Sequence, residues 1–471
     1  MLAPFASFAK GAPFAPFRRL LSSLRPTSHP PPPIIPPPDP YAGAPPPSSF
    51  PPSSFLAKPF FRQEVLHQSS LSAARVTRIT TPHGSFLTPS FVAVATNAAL
   101  KGVSVDAARE EGQDLVFCNS YHLLLQPGPE VIREAGGVHR FMGMSEERGT
   151  VGPVITDSGG FQVFSLMHGT VFEDLREESE MKRAAQSNSK YRPAASKSSK
   201  PAVKVTEEGV VFRSYRDGAM VPLTPESTVD AQKAYGADII VPLDELPSYG
   251  VRGDGLRRSV ERTHRWEARS LGRHLERVES DNGDGQAMYG IIHGGVDKNL
   301  RAYSTSYITS LPFDGVCIGG SLGGNRDEMI DMLSFVMPRV HRANEEKAGR
   351  NKPVHLLGIA DEPSIREAAP LGIDTFDSCF PTRLARHGTL LTSENASGRL
   401  HIKSKKYSRQ YGVPLDEGCE CFACRTHDRA YMHHLIRAKE PLFLELATRH
   451  NIAYMNRYMA KLREDIMNDR V

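Results

Sequence analysis

The chain reads as an α/β protein built on a (β/α)8 barrel of the TIM type, with a zinc-binding subdomain near its C-terminus. Three observations predict this. Short apolar runs alternate with amphipathic helical stretches through the middle of the 471 residues, acidic and glycine residues recur at the ends of those runs, and a Cys/His cluster stands apart near the C-terminus. Strand and helix in repeated alternation favour a closed parallel barrel over an open sheet, and in such barrels the chemistry gathers at the carboxyl ends of the strands.

The N-terminal residues 1–70 have a different texture. Roughly half of the 37 prolines lie in the first 60 positions, with Lys10, Arg18, Arg19, Arg25 and Lys58 set against the single acid Asp39. Such a stretch does not pack a core by itself. Its basic, serine-containing, acid-poor make-up is that of an organelle transit peptide, mitochondrial or plastid, although the prolines interrupt an amphipathic helix. A disordered tail on a cytoplasmic protein is the plainer alternative. The net charge of +4 is compatible with a nucleic-acid partner without requiring one. Cys118, Cys317 and Cys379 are scattered singles, which argues for a reducing compartment and against a disulfide framework. No apolar run reaches the ~18 residues of a membrane-spanning helix.

Residues 71–400 carry the barrel pattern. Its apolar runs are Asp114-Leu-Val-Phe-Cys-Asn119, Gly152-Pro-Val-Ile-Thr-Asp157, Ala237-Asp-Ile-Ile-Val-Pro-Leu-Asp244, Ala287-Met-Tyr-Gly-Ile-Ile-His293, Gly315-Val-Cys-Ile-Gly-Gly320, Val354-His-Leu-Leu-Gly358 and Ile373-Asp-Thr-Phe-Asp377. Continuous apolar runs suit parallel strands covered on both faces. Between them, residues 258–278, 298–310 and 326–340 place apolar side chains at helical spacing. Residues 173–204 break the pattern, acidic first and then basic, and read as a mobile insertion whose charges are either solvated or nucleic-acid-contacting.

Two motifs carry candidate chemistry. Thr156-Asp157-Ser158-Gly159-Gly160-Phe161 puts a carboxylate at a strand end, followed by two glycines that let backbone amides approach a planar ligand. Phe376-Asp377-Ser378-Cys379-Phe380-Pro381-Thr382-Arg383 supplies a second carboxylate, with Arg386 one helical turn after Arg383. Either aspartate alone could simply cap the next turn. Two carboxylates meeting across a barrel mouth would divide the work of a nucleophile and a proton carrier at a sugar C1′. Residues 401–471 hold Cys419-Glu-Cys421-Phe-Ala-Cys424, with His450 following 26 residues later. Three thiolates and one imidazole close a tetrahedron around zinc and leave no open position, so the metal would be structural. Glu420 and the Gly412-Val-Pro414 approach argue against these cysteines being ordinary core residues.

These segments, Asp-Ser-Gly-Gly-Phe-Gln-Val-Phe-Ser, Phe-Asp-Ser-Cys-Phe-Pro-Thr-Arg and Cys-x-Cys-x2-Cys with its distant His, strongly resemble tRNA-guanine transglycosylases from about residue 75 onward. That family exchanges the wobble guanine of tRNA for queuine or its precursor preQ1 on a (β/α)8 barrel with a zinc-binding insertion. The resemblance implies that Asp377 is the nucleophile and Asp157 the general acid/base. It further implies that Ser158, Phe161, Asp244, His293, Gly320, Gly323 and Leu357 bind the base, and that Arg383 and Arg386 contact the anticodon loop. No redox cofactor is implied. Relatives pair as homodimers, or as heterodimers with a paralogous subunit. Two departures stand out: His293 occupies a position where many members carry Gln, and Gly323 one where preQ1-using members carry valine, which would open space for queuine. Retention of Asp157, Asp244, Asp377, Arg383 and Arg386 together argues against the alternative of a non-catalytic tRNA-binding subunit. A barrel enzyme acting on a phosphosugar, with a glycine-rich anion loop, would have no use for the zinc cluster.

Overall fold

The computed structural model describes residues 41–52, 58–168, 203–276, 285–346 and 352–471. The expected insertion at 173–204 lies outside the described residues except for its last two positions, and so do residues 1–40 of the extension.

An antiparallel sheet of β1 (Arg62–Gln68), β2 (Arg75–Thr81) and β3 (Gly84–Thr88) precedes the barrel. The barrel is formed by β4 (Ser90–Ala95), β5 (Val116–Cys118) and β6 (Val154–Thr156). After the excursion β7 (Lys204–Val205), β8 (Val210–Arg213) and β9 (Met220–Leu223), it continues with β10 (Ile239–Ile240), β11 (Ala287–Ile292), β12 (Gly315–Ile318), β13 (Val354–Leu356) and β14 (Thr375–Ser378). β4–β6 and β10–β14 close into one parallel ring of eight, with β14 paired to β4 and β6 to β10. Every residue of β11 and β12 is buried, as continuous apolar runs require when both faces are covered.

Seven of these strands lie in the runs read from the sequence. The eighth, Ser90-Phe-Val-Ala-Val-Ala95, escaped that reading: it follows a β-hairpin and is not succeeded directly by a helix. The short helix Val105–Glu110, capped by Ser104, starts only after a loop. β10 is two residues long because Gln232 takes over the backbone of Val241 that follows, accepting its N–H at 3.0 Å and donating to its carbonyl at 2.9 Å. Beyond it, the Ile291 N–H donates to Glu267 Oε2 at 3.0 Å, a side chain reaching in from the helix Gly253–Glu276. Burial pushes the Glu267 carboxyl well above the ordinary carboxylate range.

The amino ends of β10, β12 and β14 follow one design. Asp238, Asp314 and Asp374 stand immediately before these strands, and each accepts a neighbouring strand's first free amide: Val154 N at 2.8 Å, Met288 N at 2.9 Å and Val354 N at 2.8 Å. Each also takes a basic group from the segment ahead of the barrel: His83 on Asp238, Lys58 on Asp314 and Arg75 on Asp374. The expectation of an unstructured extension to residue 70 is therefore corrected for its described part. The side chain of Lys58 is buried, β1 begins at Arg62, and Tyr307 Oη donates to Pro45 O at 2.8 Å. Proline-rich composition hid this because the segment borrows its core and its counter-charges from the barrel floor.

A second core gathers Ala385, Leu390 and Leu400 with Cys419, Cys421, Leu435, Leu446 and Ala447, so packing runs across a boundary drawn at residue 400. The helix Leu442–Met467 ties this core to the barrel: its Arg449 reaches Glu110 and Glu111, and its Asn451 bonds Leu391 N and Pro381 O.

Candidate active site and metal centre

The carboxyl ends of the strands bring together residues widely separated in sequence. Asp157 follows β6. Its Oδ1 accepts the Ser120 N–H at 2.6 Å and its Oδ2 accepts Asn119 Nδ2 at 2.7 Å. Asn119 caps the helix Ser120–Leu125, and its Oδ1 takes the His122 N–H at 3.3 Å, which fixes the amide so that Nδ2 faces Asp157. Burial is the main reason the Asp157 carboxyl is pushed up to about 7; the Ser120 and Gly159 amides oppose it, while Asp377 and Asp244 add to it. Asp157, Asp244 and Asp377 follow or end β6, β10 and β14, at the carboxyl side of one closed ring.

Asp377 lies on β14 and is almost fully buried. Its Oδ1 accepts the Gly358 N–H at 2.7 Å and lies 3.1 Å from His355 Nε2. Asp244, past β10, lies 3.0 Å from His293 Nε2, at the end of β11. His293 packs beside Gly320 so closely that a Cβ on Gly320 would stand 3.0 Å from its Nδ1. Leu357 sits half-buried after β13 against Gly319, and Phe161 remains 43% exposed at the start of the helix Gly160–His168, free to stack on a flat ligand. A cleft beside this group is lined by Tyr249, Arg252, His293, Gly320 and Ser321. On the helix Phe380–His387, Arg383 turns toward Cys379 and Arg386 is exposed.

Three of the expected site features also have roles within the chain. The glycines after Asp157 serve chain packing: a Cβ on Gly159 would stand 2.9 Å from Tyr121 N, and one on Gly160 3.1 Å from Asp244 O. Ser158 is buried, with its hydroxyl accepting the Gly160 N–H at 3.3 Å. At Gly323 (φ +139°) an added Cβ would lie 3.0 Å from Glu328 Cβ, so backbone conformation and Glu328 both favour glycine there.

The sequence reading missed Asn119, Ser120, His355, Gly358 and Arg301 as supports of the site. Arg301 is fully buried on the helix Lys298–Ser310 and donates to the carbonyls of Ile292, Gly295, Gly319 and Ser321, holding the loops that carry His293 and Gly320. Burial pushes it down to about 9. His355 had one available signal: it is the single ionisable residue within its apolar run.

Cys419, Cys421, Cys424 and His450 gather with their ligand atoms within 4.8 Å of one another, a group able to hold a metal ion. His450 Nδ1 lies 3.9, 3.5 and 3.3 Å from the three sulfurs in order, while Nε2 is 2.8 Å from Leu391 O. That carbonyl can only accept, so the proton belongs on Nε2 and Nδ1 presents its lone pair to the sulfurs, the tautomer a metal needs. The residues therefore fit a tetrahedral ion. Contrary to the argument from Glu420, Cys419 and Cys421 are buried in the second core: Glu420 is exposed between them and leaves the sulfurs inward. A second His/Asp group, His83, His139 and Asp238, differs in kind. Its imidazoles stack at 3.5 Å and 17°, so their in-plane lone pairs cannot converge on one ion, and both rings hydrogen-bond Asp238 instead.

Comparison with known proteins agrees with the resemblance carried by the three motifs. The family model described as Queuine tRNA-ribosyltransferase matches residues 70–188 and 180–471. A protein of that name from Protochlamydia amoebophila is 46% identical over 410 residues, covering 87% of this chain and 96% of the relative. One from Chlamydia trachomatis is 43% identical over 411 residues, covering 87% and 99%. One from Roseiflexus is 40% identical over 407 residues, covering 85% and 94%. At this identity and coverage, on a barrel of this construction, the chain belongs to the queuine tRNA-ribosyltransferase family.

Proposed function

We propose that this protein is a tRNA-guanine transglycosylase that exchanges the wobble guanine of a tRNA anticodon for queuine or a related 7-deazaguanine. The observation that carries the reading is the placement of Asp157, Asp244 and Asp377 at the carboxyl ends of β6, β10 and β14 in one closed ring of parallel strands.

Asp377 attacks C1′ of the ribose as the bond to N9 of guanine breaks, leaving a ribosyl ester on the enzyme. Asp157, raised to about 7, carries a proton at neutral pH and passes it to the departing base. It later takes a proton from the incoming one. Asp244 accepts from the N–H edge of the base, His293 and the Gly320 amide address its carbonyl, and Phe161 and Leu357 enclose its faces. Arg383 and Arg386 meet the flanking nucleotides, from which the target must be extruded. Zinc bound by Cys419, Cys421, Cys424 and His450 cross-links the C-terminal core and takes no part in the exchange.

The N-terminal segment directs the chain to an organelle, a reading that fusion of that segment to a fluorescent reporter tests. The working unit is a homodimer or a pair with a paralogous subunit; light scattering of the chain alone distinguishes the two.

The reaction is tested with tRNA labelled in its wobble guanine. Label release on adding queuine or preQ1, and a denaturation-resistant protein–tRNA adduct lost in Asp377→Asn, are expected. An adduct that survives that substitution refutes the assignment of the nucleophile, and no release with either base refutes the activity.

A further inference from the structure

His355 is fully buried in the middle of β13, opposite Thr375 in the parallel register with β14. Thr375 and Asp377 are two residues apart on one strand and so share a face, which places all three side chains in line. His355 Nδ1 is 2.8 Å from Thr375 Oγ1, and His355 Nε2 is 3.1 Å from Asp377 Oδ1. An ionised Asp377 can only accept, so the neutral ring carries its proton on Nε2, and Nδ1 accepts from the threonine hydroxyl. The parallel ring of Phe117, with centroids 6.1 Å apart, lines this position with apolar surface. Asp377 Oδ1 therefore holds two donors, the Gly358 amide and the His355 imidazole, whereas no hydrogen-bond donor meets Oδ2 among the described residues.

We infer that His355, its ring held in place by Thr375, is a positioning residue that makes Oδ2 the attacking atom of Asp377 and promotes the second half of the exchange. The inference rests on the proposed transglycosylation. In the first half, an Oδ2 lone pair forms the bond to C1′ while the C1′–N9 electrons leave with guanine, which takes the Asp157 proton. Oδ1 becomes the carbonyl oxygen of the ester. In the second half, N9 of the new base attacks C1′, its proton goes to Asp157, and the C1′–Oδ2 electrons return to the carboxylate. Negative charge then reappears on a group already met by two preorganised N–H donors, which favours its departure. The same donors temper the attack, so their removal separates the two halves.

The test follows adduct formation and adduct discharge separately, with the zinc-loaded full chain and labelled guanine as the incoming base. In His355→Phe, discharge should slow roughly 10–100-fold, the value of one donor to a developing anion. Formation should hold steady or quicken, so adduct accumulates. His355→Gln, which keeps an N–H near the Nε2 position, should restore discharge to within several-fold of wild type. Thr375→Val, which keeps the ring but leaves its Nδ1 without a partner, should slow discharge alone, and it serves as the test if the phenylalanine variant does not fold. Equal slowing of both halves, or Gln and Phe variants that behave alike, overturns the inference while leaving the transglycosylase reading intact. A wild-type protein that forms no adduct overturns both.

Discussion

Replacing Asp157 by asparagine removes a carboxyl whose ionisation is opposed by burial and by two neighbouring acids. Its folded value is about 7 against 3.8 for the ordinary group. Because the folded value is raised, the proton contributes stability that is fully present below pH 3.8 and is lost as pH climbs through 7. Between pH 6 and pH 8 that loss amounts to about 1.4 kcal/mol at most, since solvent at the barrel mouth screens part of it. The asparagine side chain has nothing to ionise, but its amide sets an N–H against the Ser120 or Asn119 donor, a cost of about 1–3 kcal/mol at every pH. The diagnostic quantity is therefore the change with pH of the stability difference between mutant and wild type, measured by urea unfolding at matched zinc content. Relative to wild type, the mutant should gain about 1 kcal/mol from pH 6 to pH 8. Parallel stability curves over that range would refute the raised Asp157. The same proton governs chemistry, so guanine release by the wild type should fall with rising pH above about 7 while ester formation in the mutant stays low throughout.

Cys421→Ala should lower bound zinc, read by metal analysis, and reduce stability by several kcal/mol, because the binding energy of a structural ion is folding energy of the order of 10 kcal/mol; full zinc content in the variant would refute the ligand set. Arg301→Met leaves the carbonyls of Ile292, Gly295, Gly319 and Ser321 without their donor, and should cost roughly 3–5 kcal/mol together with a rise in KM for the base. A KM unchanged within twofold would show that these loops hold their shape without the guanidinium. Gly323→Ala should cost about 1–3 kcal/mol through its φ of +139° and its contact with Glu328, seen as a lower unfolding midpoint. Unaltered stability would show that neither backbone conformation nor Glu328 requires glycine there.

The missed strand β4 and the found strand β11 show what periodicity carries. β11 is a buried run followed by a helix, the pattern of a parallel strand covered on both faces. β4 is as apolar, but its neighbours in sequence are a hairpin and a loop, so its membership depends on hydrogen bonds to β14 and β5 that no local window contains. The same holds beneath the barrel. Lys58 looks like an ordinary residue of a proline-rich leader, and Arg75 and His83 like surface residues just beyond it, until Asp314, Asp374 and Asp238 are found opposite them.

By itself, the sequence determined the family, the barrel class, the candidate acids and the Cys/His metal group, because each rests on residue types at short, fixed spacing: carboxylates at strand ends, sulfurs on one knuckle, apolar runs of strand length. Only the tertiary structure decided which oxygen of Asp377 is pinned by His355 and Gly358, why Asp157 keeps its proton near neutrality, and how Arg301 holds two loops at once. Those properties come from burial and from donors on other strands, and hydrogen-bond distance and desolvation exist only once distant parts of the chain have been brought together.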